Sequence, residues 1–291
     1  ALRHGGEVVS ADSMQVYRRM DIGTAKPTPE EMRGIPHHML DVADPEEDFS
    51  VARYVELAAP CVDDILARGK LPIVAGGTGL YLDSLLSGRT FAPFSPDGGL
   101  RARLEARFDA LGGEAMLGEL AAADPEAAAR LHPNDRKRIV RALEVFQQTG
   151  KTISQHNRET RALPLRYDAL TLSLAFQRRE DMWARIDRRV DEMMAAGLAE
   201  EVRALLDSGV PVRCTAMQAI GYKEMAAALR GGGDVCAAAE EIKLRSRQYA
   251  KRQLTWFRRT EGAKWLFWGP EPDFEAACRT STKYLEEFGL V

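Results

Sequence analysis

Three stretches of this 291-residue chain carry residue types whose spacing could do chemistry. The first is Ser10-Ala11-Asp12-Ser13-Met14-Gln15-Val16-Tyr17, followed by Met20-Asp21-Ile22-Gly23-Thr24-Ala25-Lys26-Pro27. Asp12 stands just past a short apolar run, where open α/β sheets bind ligands at the carboxyl ends of their strands. There a carboxylate can act as a general base or orient a metal-bound water. The competing reading is an Asx turn that ends the strand. Downstream, Gly23, Thr24 and Lys26 combine a mobile backbone, a hydroxyl and a cation, a plausible clamp for an anion. The second stretch is Ile73-Val74-Ala75-Gly76-Gly77-Thr78-Gly79-Leu80-Tyr81. Its glycines would let backbone N–H groups converge on a ligand, with the Thr78 hydroxyl near a helix start. A tight structural turn is the alternative. It lacks the Lys of G-x-x-x-x-G-K-[ST] and is not a P-loop.

The third stretch is basic. Lys243–Arg259 holds Lys243, Arg245, Arg247, Lys251, Arg252, Arg258 and Arg259 with no acidic residue. On a helix Arg247, Lys251, Thr255 and Arg258 share one face, while Leu254 and Phe257 point to the core. Arg136-Lys137-Arg138 and Arg141 form a second cluster. Such runs are solvated faces or tracks for a polyanion, and a track would give salt-sensitive affinity. Arg185 lies among Arg178, Arg179, Arg188 and Arg189, where an Asp187 partner would make it structural. His37-His38 has no ligand-spaced companion, Met193-Met194 continue a core face, and Trp256, Trp265 and Trp268 read as core or strand residues.

These groups need positioning elements. Short apolar runs at Glu7–Ser10, His38–Val42, Leu71–Ala75, Ala169–Ala175 and Lys264–Trp268 suit a buried, mostly parallel sheet. Helical patterns separate them: Val51–Arg68 closes at Gly69, and Met182, Ile186, Val190 and Met193 mark one apolar face. Strands alternating with helices indicate a three-layer α/β core. Residues 96–165, opened by Phe94-Ser95-Pro96-Asp97-Gly98-Gly99 and rich in Ala, Arg, Glu and Leu, read as a helical insertion domain. Residues 1–95 and 166–291 then form the core domain. Leu2-Arg3-His4-Gly5-Gly6 reads as the last turn of a helix with its glycine stop, an expectation that residues precede Ala1.

Composition narrows the class. Forty Lys+Arg against 43 Asp+Glu give a formal charge of −3, unlike a basic-tail nucleic-acid binder or an acidic disordered chain. No apolar run approaches the ~20 residues of a membrane span, and no signal-peptide pattern opens the chain. Four dispersed cysteines (Cys61, Cys214, Cys236, Cys278) argue against zinc or a disulfide framework and fit a reducing, cytoplasmic setting.

Together the first two stretches resemble the tRNA dimethylallyltransferase (tRNA isopentenyltransferase) family. Arg138-Ile139-Val140-Arg141-Ala142-Leu143-Glu144-Val145, Met217-Gln218-Ala219-Ile220-Gly221-Tyr222-Lys223-Glu224 and Lys251-Arg252-Gln253-Leu254-Thr255-Trp256-Phe257 match later blocks of that family in order. The resemblance spans essentially the whole chain and implies an enzyme of bacterial type with a P-loop-NTPase-like α/β core and a helical insertion domain. The family opens with a P-loop ahead of the Gly-Gly-Glu found here at Gly5-Gly6-Glu7; that loop is not in this sequence, and the zinc finger of some eukaryotic members is absent. The implied activity moves a dimethylallyl group from dimethylallyl diphosphate to the exocyclic amine of the adenosine 3′ to the anticodon, aided by Mg2+ whose ligands stay unknown. By motif position Asp12 is the base, with Thr78 and Arg185 as further catalytic residues and Arg185 on the diphosphate. The implied tRNA-facing residues are Asp12, Ser13, Met14, Gln15, Thr78, Arg101, Lys137, Arg138, Ile139, Val140, Arg141, Ala216, Met217, Gln218, Ala219, Ile220, Gly221, Lys251, Arg252, Gln253, Leu254, Thr255, Trp256, Phe257 and Arg258. The expected partners are a tRNA anticodon stem-loop and dimethylallyl diphosphate, with a monomeric protein and no membrane. Alternatives are an adenylate isopentenyltransferase acting on free nucleotide, a P-loop small-molecule kinase, and a non-catalytic RNA-binding relative.

Overall fold

The computed structural model describes residues 1–88, 91 and 98–291. The chain divides into two units, residues 1–85 with 168–291, and residues 86–167. The boundary expected at residues 95 and 96, and residues 94–97 of the loop expected to open the insertion, lie outside the described residues.

The first unit is built on parallel strands. β1 (Glu7–Ser10) lies between β2 (His37–His38) and β3 (Pro72–Ala75), with Val8 opposite His37 and Ser10 opposite Ala75. Parallel neighbours need crossovers, supplied here by α1 (Pro29–Met32) and α2 (Val51–Ala67). α2 starts at Ser50, whose hydroxyl accepts from Arg53 N at 3.2 Å, and its buried Tyr54 donates to Ser10 O at 3.1 Å. The strand expected over His38–Val42 is only two residues long. Met39 and Asp41 adopt φ of 66° and 56°, a left-handed conformation that breaks extension. The chain instead turns back so that Ala43 N donates to Val16 O at 3.0 Å. His37 and His38 are therefore themselves the strand, and His38 Nε2 meets Glu7 Oε2 at 2.9 Å.

The remaining strands, β4 (Leu172–Phe176) and β5 (Lys264–Trp268), pair in parallel register as a separate two-stranded sheet. Between β3 and β4 run α3 (Gly79–Leu86) and four helices of the second unit: α4 (Gly98–Ala123), α5 (Pro125–Ala128), α6 (Arg136–Thr149) and α7 (Ile153–Arg161). The second unit is all helical among its described residues, with a core of Leu104, Met116, Leu120, Ile139 and Leu143. Buried Asp124 accepts from Ala127 N and Ser154 N, each at 3.0 Å, tying α5 to α7. Back in the first unit, α8 (Arg179–Ala195), α9 (Leu198–Asp207), α10 (Tyr222–Gly231) and α11 (Val235–Phe257) follow β4, and α12 (Phe274–Phe288) follows β5. The apolar face of α8 packs on α11, with Val190 3% exposed.

Glu7 is buried at the foot of β1 and gathers Arg68, Lys70 at 2.7 Å and His38. Hydrogen bonds from Arg68, Lys70 and His38, in that order, hold its carboxyl well below the usual range of about 4.5. A depressed carboxylate stabilises the fold above its unfolded pKa, and that contribution disappears as pH falls through the folded value. We expect denaturation midpoints of the wild type to fall steadily below about pH 4.5, and Glu7→Gln to flatten that acid limb. An identical acid limb in Glu7→Gln would contradict this assignment.

Candidate active site and nucleic-acid interface

The parallel register of β1 and β3 brings the ends of both strands to one carboxyl edge. Ala11 N donates to Ala75 O at 2.8 Å, and Thr78 N donates to Ala11 O at 3.1 Å. Gly76 permits this approach, because a Cβ there would lie 2.3 Å from the Ala11 backbone. Ser13 N donates to Thr78 Oγ1 at 3.0 Å, and the Thr78 hydroxyl lies 3.2 Å from Ser13 Oγ. Asp12 Oδ1 accepts from Met14 N at 2.7 Å and Gln15 N at 3.2 Å. The Asx turn is thus present, and it fixes the carboxylate rather than exhausting it. Among the described residues Oδ2 has no hydrogen-bond partner, which leaves one oxygen aimed by its neighbour and available for a proton. The Gln15 side chain braces the loop: Nε2 donates to Thr24 O at 3.2 Å and Ala25 O at 3.1 Å, while Oε1 accepts from Ser10 Oγ at 3.1 Å.

α11 crosses the second loop. Gln253 Nε2 donates to Gly77 O at 3.0 Å, and Trp256 Nε1 donates to Asp83 Oδ2 at 3.1 Å. A Cβ on Gly77 would lie 2.1 Å from Gln253 Nε2, and one on Gly79 2.3 Å from the Trp256 ring. These two glycines make room for a helix. Trp256 is 40% exposed, not a core residue as its type suggested. One turn earlier on the same stripe, Tyr249 stands near Thr78, Gln253 and Asp12, and partial burial together with the Asp12 charge raises its phenol pKa. Tyr249 escapes the sequence reading; the available signal is the i, i+4, i+7 spacing of Tyr249, Gln253 and Trp256.

The basic run of α11 divides into two parts. Lys243 meets Asp191 at 2.7 Å and Glu240 at 2.8 Å, Arg245 meets Glu241 at 2.6 Å, and Arg247 meets Asp187 at 2.9 Å. Lys251, Arg258 and Arg259 are exposed and have no ion pair among the described residues, and Arg252 lies 5.5 Å over the Tyr249 ring. A cleft of about 740 Å³ runs between the end of β4, α8 and α11. Arg178, Arg179, Arg247, Lys251 and Arg258 line it, together with Thr255 and Leu254; Leu254 is thus a half-buried cleft wall instead of a core residue. Arg179 and Arg247 both face the Trp183 ring, at 4.6 and 6.0 Å. Because Asp187 takes Arg247, Arg185 is left exposed without an ion pair among the described residues. No hydrogen bond or ion pair joins Arg185 to Asp12 or Thr78.

Other expectations change. The Gly23–Lys26 segment is closed to an external anion. The Lys26 side chain, 6% exposed, is held by Asp21, Asp41 and Tyr17 O, and the amides of residues 21–23 already bind the Glu201 carboxylate. Ala216 and Met217 are fully buried, Ala219 and Gly221 are buried, and Gln218 is exposed with Nε2 bound to Val212 O at 2.7 Å. In the second unit Ile139 and Val140 pack into the core at 0% and 2% exposure. The side chains of these buried residues have no access to a ligand in this conformation. Arg136 is paired with Asp109, and buried Glu144 holds both Arg101 at 3.3 Å and Arg141 at 2.7 Å. Lys137 and Arg138 are exposed without an ion pair among the described residues. All four cysteines are free thiols. Among the described residues no three His, Cys, Asp or Glu side chains converge on a common metal position. Among the described residues no helix is long and apolar enough to cross a membrane.

A loop-end Asp braced by a Thr, beside a helix carrying unpaired cations, fits transfer chemistry on a nucleic acid. The family model described as IPP transferase matches residues 15–260. The chain belongs to the IPP transferase family. It is 44% identical to the tRNA dimethylallyltransferase of Acetivibrio thermocellus over 290 residues, covering all of this chain and 92% of that protein. It is 50% identical to tRNA dimethylallyltransferase 1 of Trichlorobacter lovleyi over 261 residues, covering 90% and 85%. Among solved structures, the full-length tRNA isopentenylpyrophosphate transferase of Bacillus halodurans superposes with a TM-score of 0.72 at 41% identity, covering 99% and 89%. A eukaryotic dimethylallyltransferase acting on tRNA superposes with a TM-score of 0.81 at 30% identity, covering 99% and 75%. The IPP transferase chain accordingly has the α/β P-loop-like fold of its structural neighbours, and its kinship favours a prenyl transferase over a kinase.

Proposed function

We propose that this chain is a tRNA dimethylallyltransferase that alkylates the exocyclic amine of the adenosine 3′ to the anticodon, using dimethylallyl diphosphate and acting as a monomer. The observation that carries this reading is the Asp12 carboxylate: one oxygen is pinned by two backbone amides, and the other has no hydrogen-bond partner among the described residues. An adenine amine is a poor nucleophile because its lone pair is delocalised into the ring. As the allylic C–O bond breaks and the N–C bond forms, the amine proton passes to Asp12 Oδ2 and the diphosphate leaves with the C–O electron pair. A placed base of this kind contributes about 10²–10⁴-fold. Thr78 keeps the Asp12 loop in place through Ser13 N and can donate its hydroxyl to the departing diphosphate, and Arg185 supplies an unpaired guanidinium to the same charge. Lys251 and Arg258 would take phosphates of the anticodon stem, and loop base edges would give sequence choice. The reacting base must leave its stack, which costs a few kcal/mol that these interactions offset.

The competing enzyme, an adenylate isopentenyltransferase, has little use for the unpaired cations of α11. Prenyl transfer from dimethylallyl diphosphate, with Mg2+ supplied in the buffer, should therefore be far faster to an anticodon stem-loop than to AMP. AMP as the better acceptor would overturn the reading.

A further inference from the structure

Glu201, on α9, lies outside every motif that suggests function, yet it is densely hydrogen-bonded. Its Oε2 accepts from Asp21 N and Ile22 N, both at 2.8 Å; its Oε1 accepts from Gly23 N at 3.1 Å and from the Tyr222 hydroxyl. Each oxygen therefore takes two donors. Gly23 is pressed against this seat, since a Cβ there would lie 2.5 Å from the Tyr222 ring and 2.9 Å from Leu198. The loop continues into Thr24 and Ala25, whose carbonyls hold the Gln15 carboxamide, and Gln15 N is one of the two donors to Asp12 Oδ1.

We infer that Glu201 is a positioning residue for the Asp12 carboxylate, acting through the 21–25 loop and Gln15. This rests on the reading of Asp12 as the base. The carboxylate fills a nest of three successive backbone amides, as an anion does, and fixes where the Thr24 and Ala25 carbonyls stand. Those carbonyls set the Gln15 side chain, and Gln15 sets the turn that aims Asp12. A neutral isostere cannot do this. In Glu201→Gln one of the two positions becomes an NH₂ facing two donors, so the loop must move.

Steady-state prenyl transfer to an anticodon stem-loop tests this, with Glu201→Gln, Tyr222→Phe and Gln15→Ala measured singly and Glu201→Gln/Gln15→Ala together. We expect Glu201→Gln to lower kcat at least tenfold, with KM for both substrates within about threefold. Tyr222→Phe, which removes one of four donors and keeps the ring, should lower kcat in the same sense by a smaller factor. The double variant should be little worse than the poorer single, because residues coupled through one hydrogen-bond chain are not additive. A kcat within twofold of wild type in folded Glu201→Gln and Tyr222→Phe, or multiplicative losses in the double variant, would overturn the inference. Asp12→Ala in the same assay separates the two levels: full activity there would overturn the underlying reading, whereas an inactive Asp12→Ala beside an unaffected Glu201→Gln would overturn this inference alone.

Discussion

Asp12→Ala is expected to abolish prenyl transfer while leaving tRNA affinity within a few-fold of wild type. The carboxylate does two separable jobs. Oδ1 closes a turn with Met14 N and Gln15 N, and Oδ2 is unpartnered among the described residues. Asp12→Asn keeps an acceptor for the turn and removes the base, so it should lose roughly the 10²–10⁴ that a placed general base contributes with little change in melting temperature. Asp12→Ala loses the turn acceptor as well and should be both inactive and less stable. Stem-loop titrations alongside single-turnover rates check both variants. A large loss of binding in Asp12→Asn would reassign the residue to recognition.

Lys251→Ala combined with Arg258→Ala is expected to weaken tRNA binding by at least about 10²-fold, since each charge-assisted hydrogen bond contributes about 1.5–3 kcal/mol. The slope of log affinity against log salt should become shallower by about one for each phosphate-binding cation removed. The control comes from the same helix. Lys243 and Arg245 are held by Asp191, Glu240 and Glu241. Lys243→Ala with Arg245→Ala should leave the salt slope unchanged and lower thermal stability instead. Binding isotherms at salt concentrations from about 50 to 200 mM measure this directly. Equal slopes for wild type and Lys251→Ala/Arg258→Ala would return that face of α11 to being a solvated surface.

The comparison of the two pairs shows where sequence reading stops. A run of cations without acids looks uniform in one dimension, and only packing reveals that its first half faces carboxylates on α8 and on its own preceding turn. The strands were legible where several apolar residues run together: β1 and β5 have the expected bounds, β3 starts one residue later than expected and β4 starts three residues later. β2 was overestimated because nothing in Met39 or Asp41 announces a left-handed backbone. The Gly23–Lys26 segment was misread for a related reason. Its cation and amides have anionic partners at Asp41 and Glu201, distant in sequence and visible only once folded. Motif blocks located the Asp12 and Thr78 loops, but a motif covers a whole stretch. It could not separate exposed Lys137 and Arg138 from Ile139 and Val140, which the 3.6-residue period turns into the core. Tyr249 and Glu201 lay outside the quoted blocks and emerge only from what they touch.

The most direct test of the central claim is the structure of this protein bound to an anticodon stem-loop. The account predicts the exocyclic amine of the flipped adenine within about 2.6–3.2 Å of Asp12 Oδ2, the reach of a proton transfer. An adenine seated with its amine against another side chain, and Asp12 turned away from it, would contradict the account.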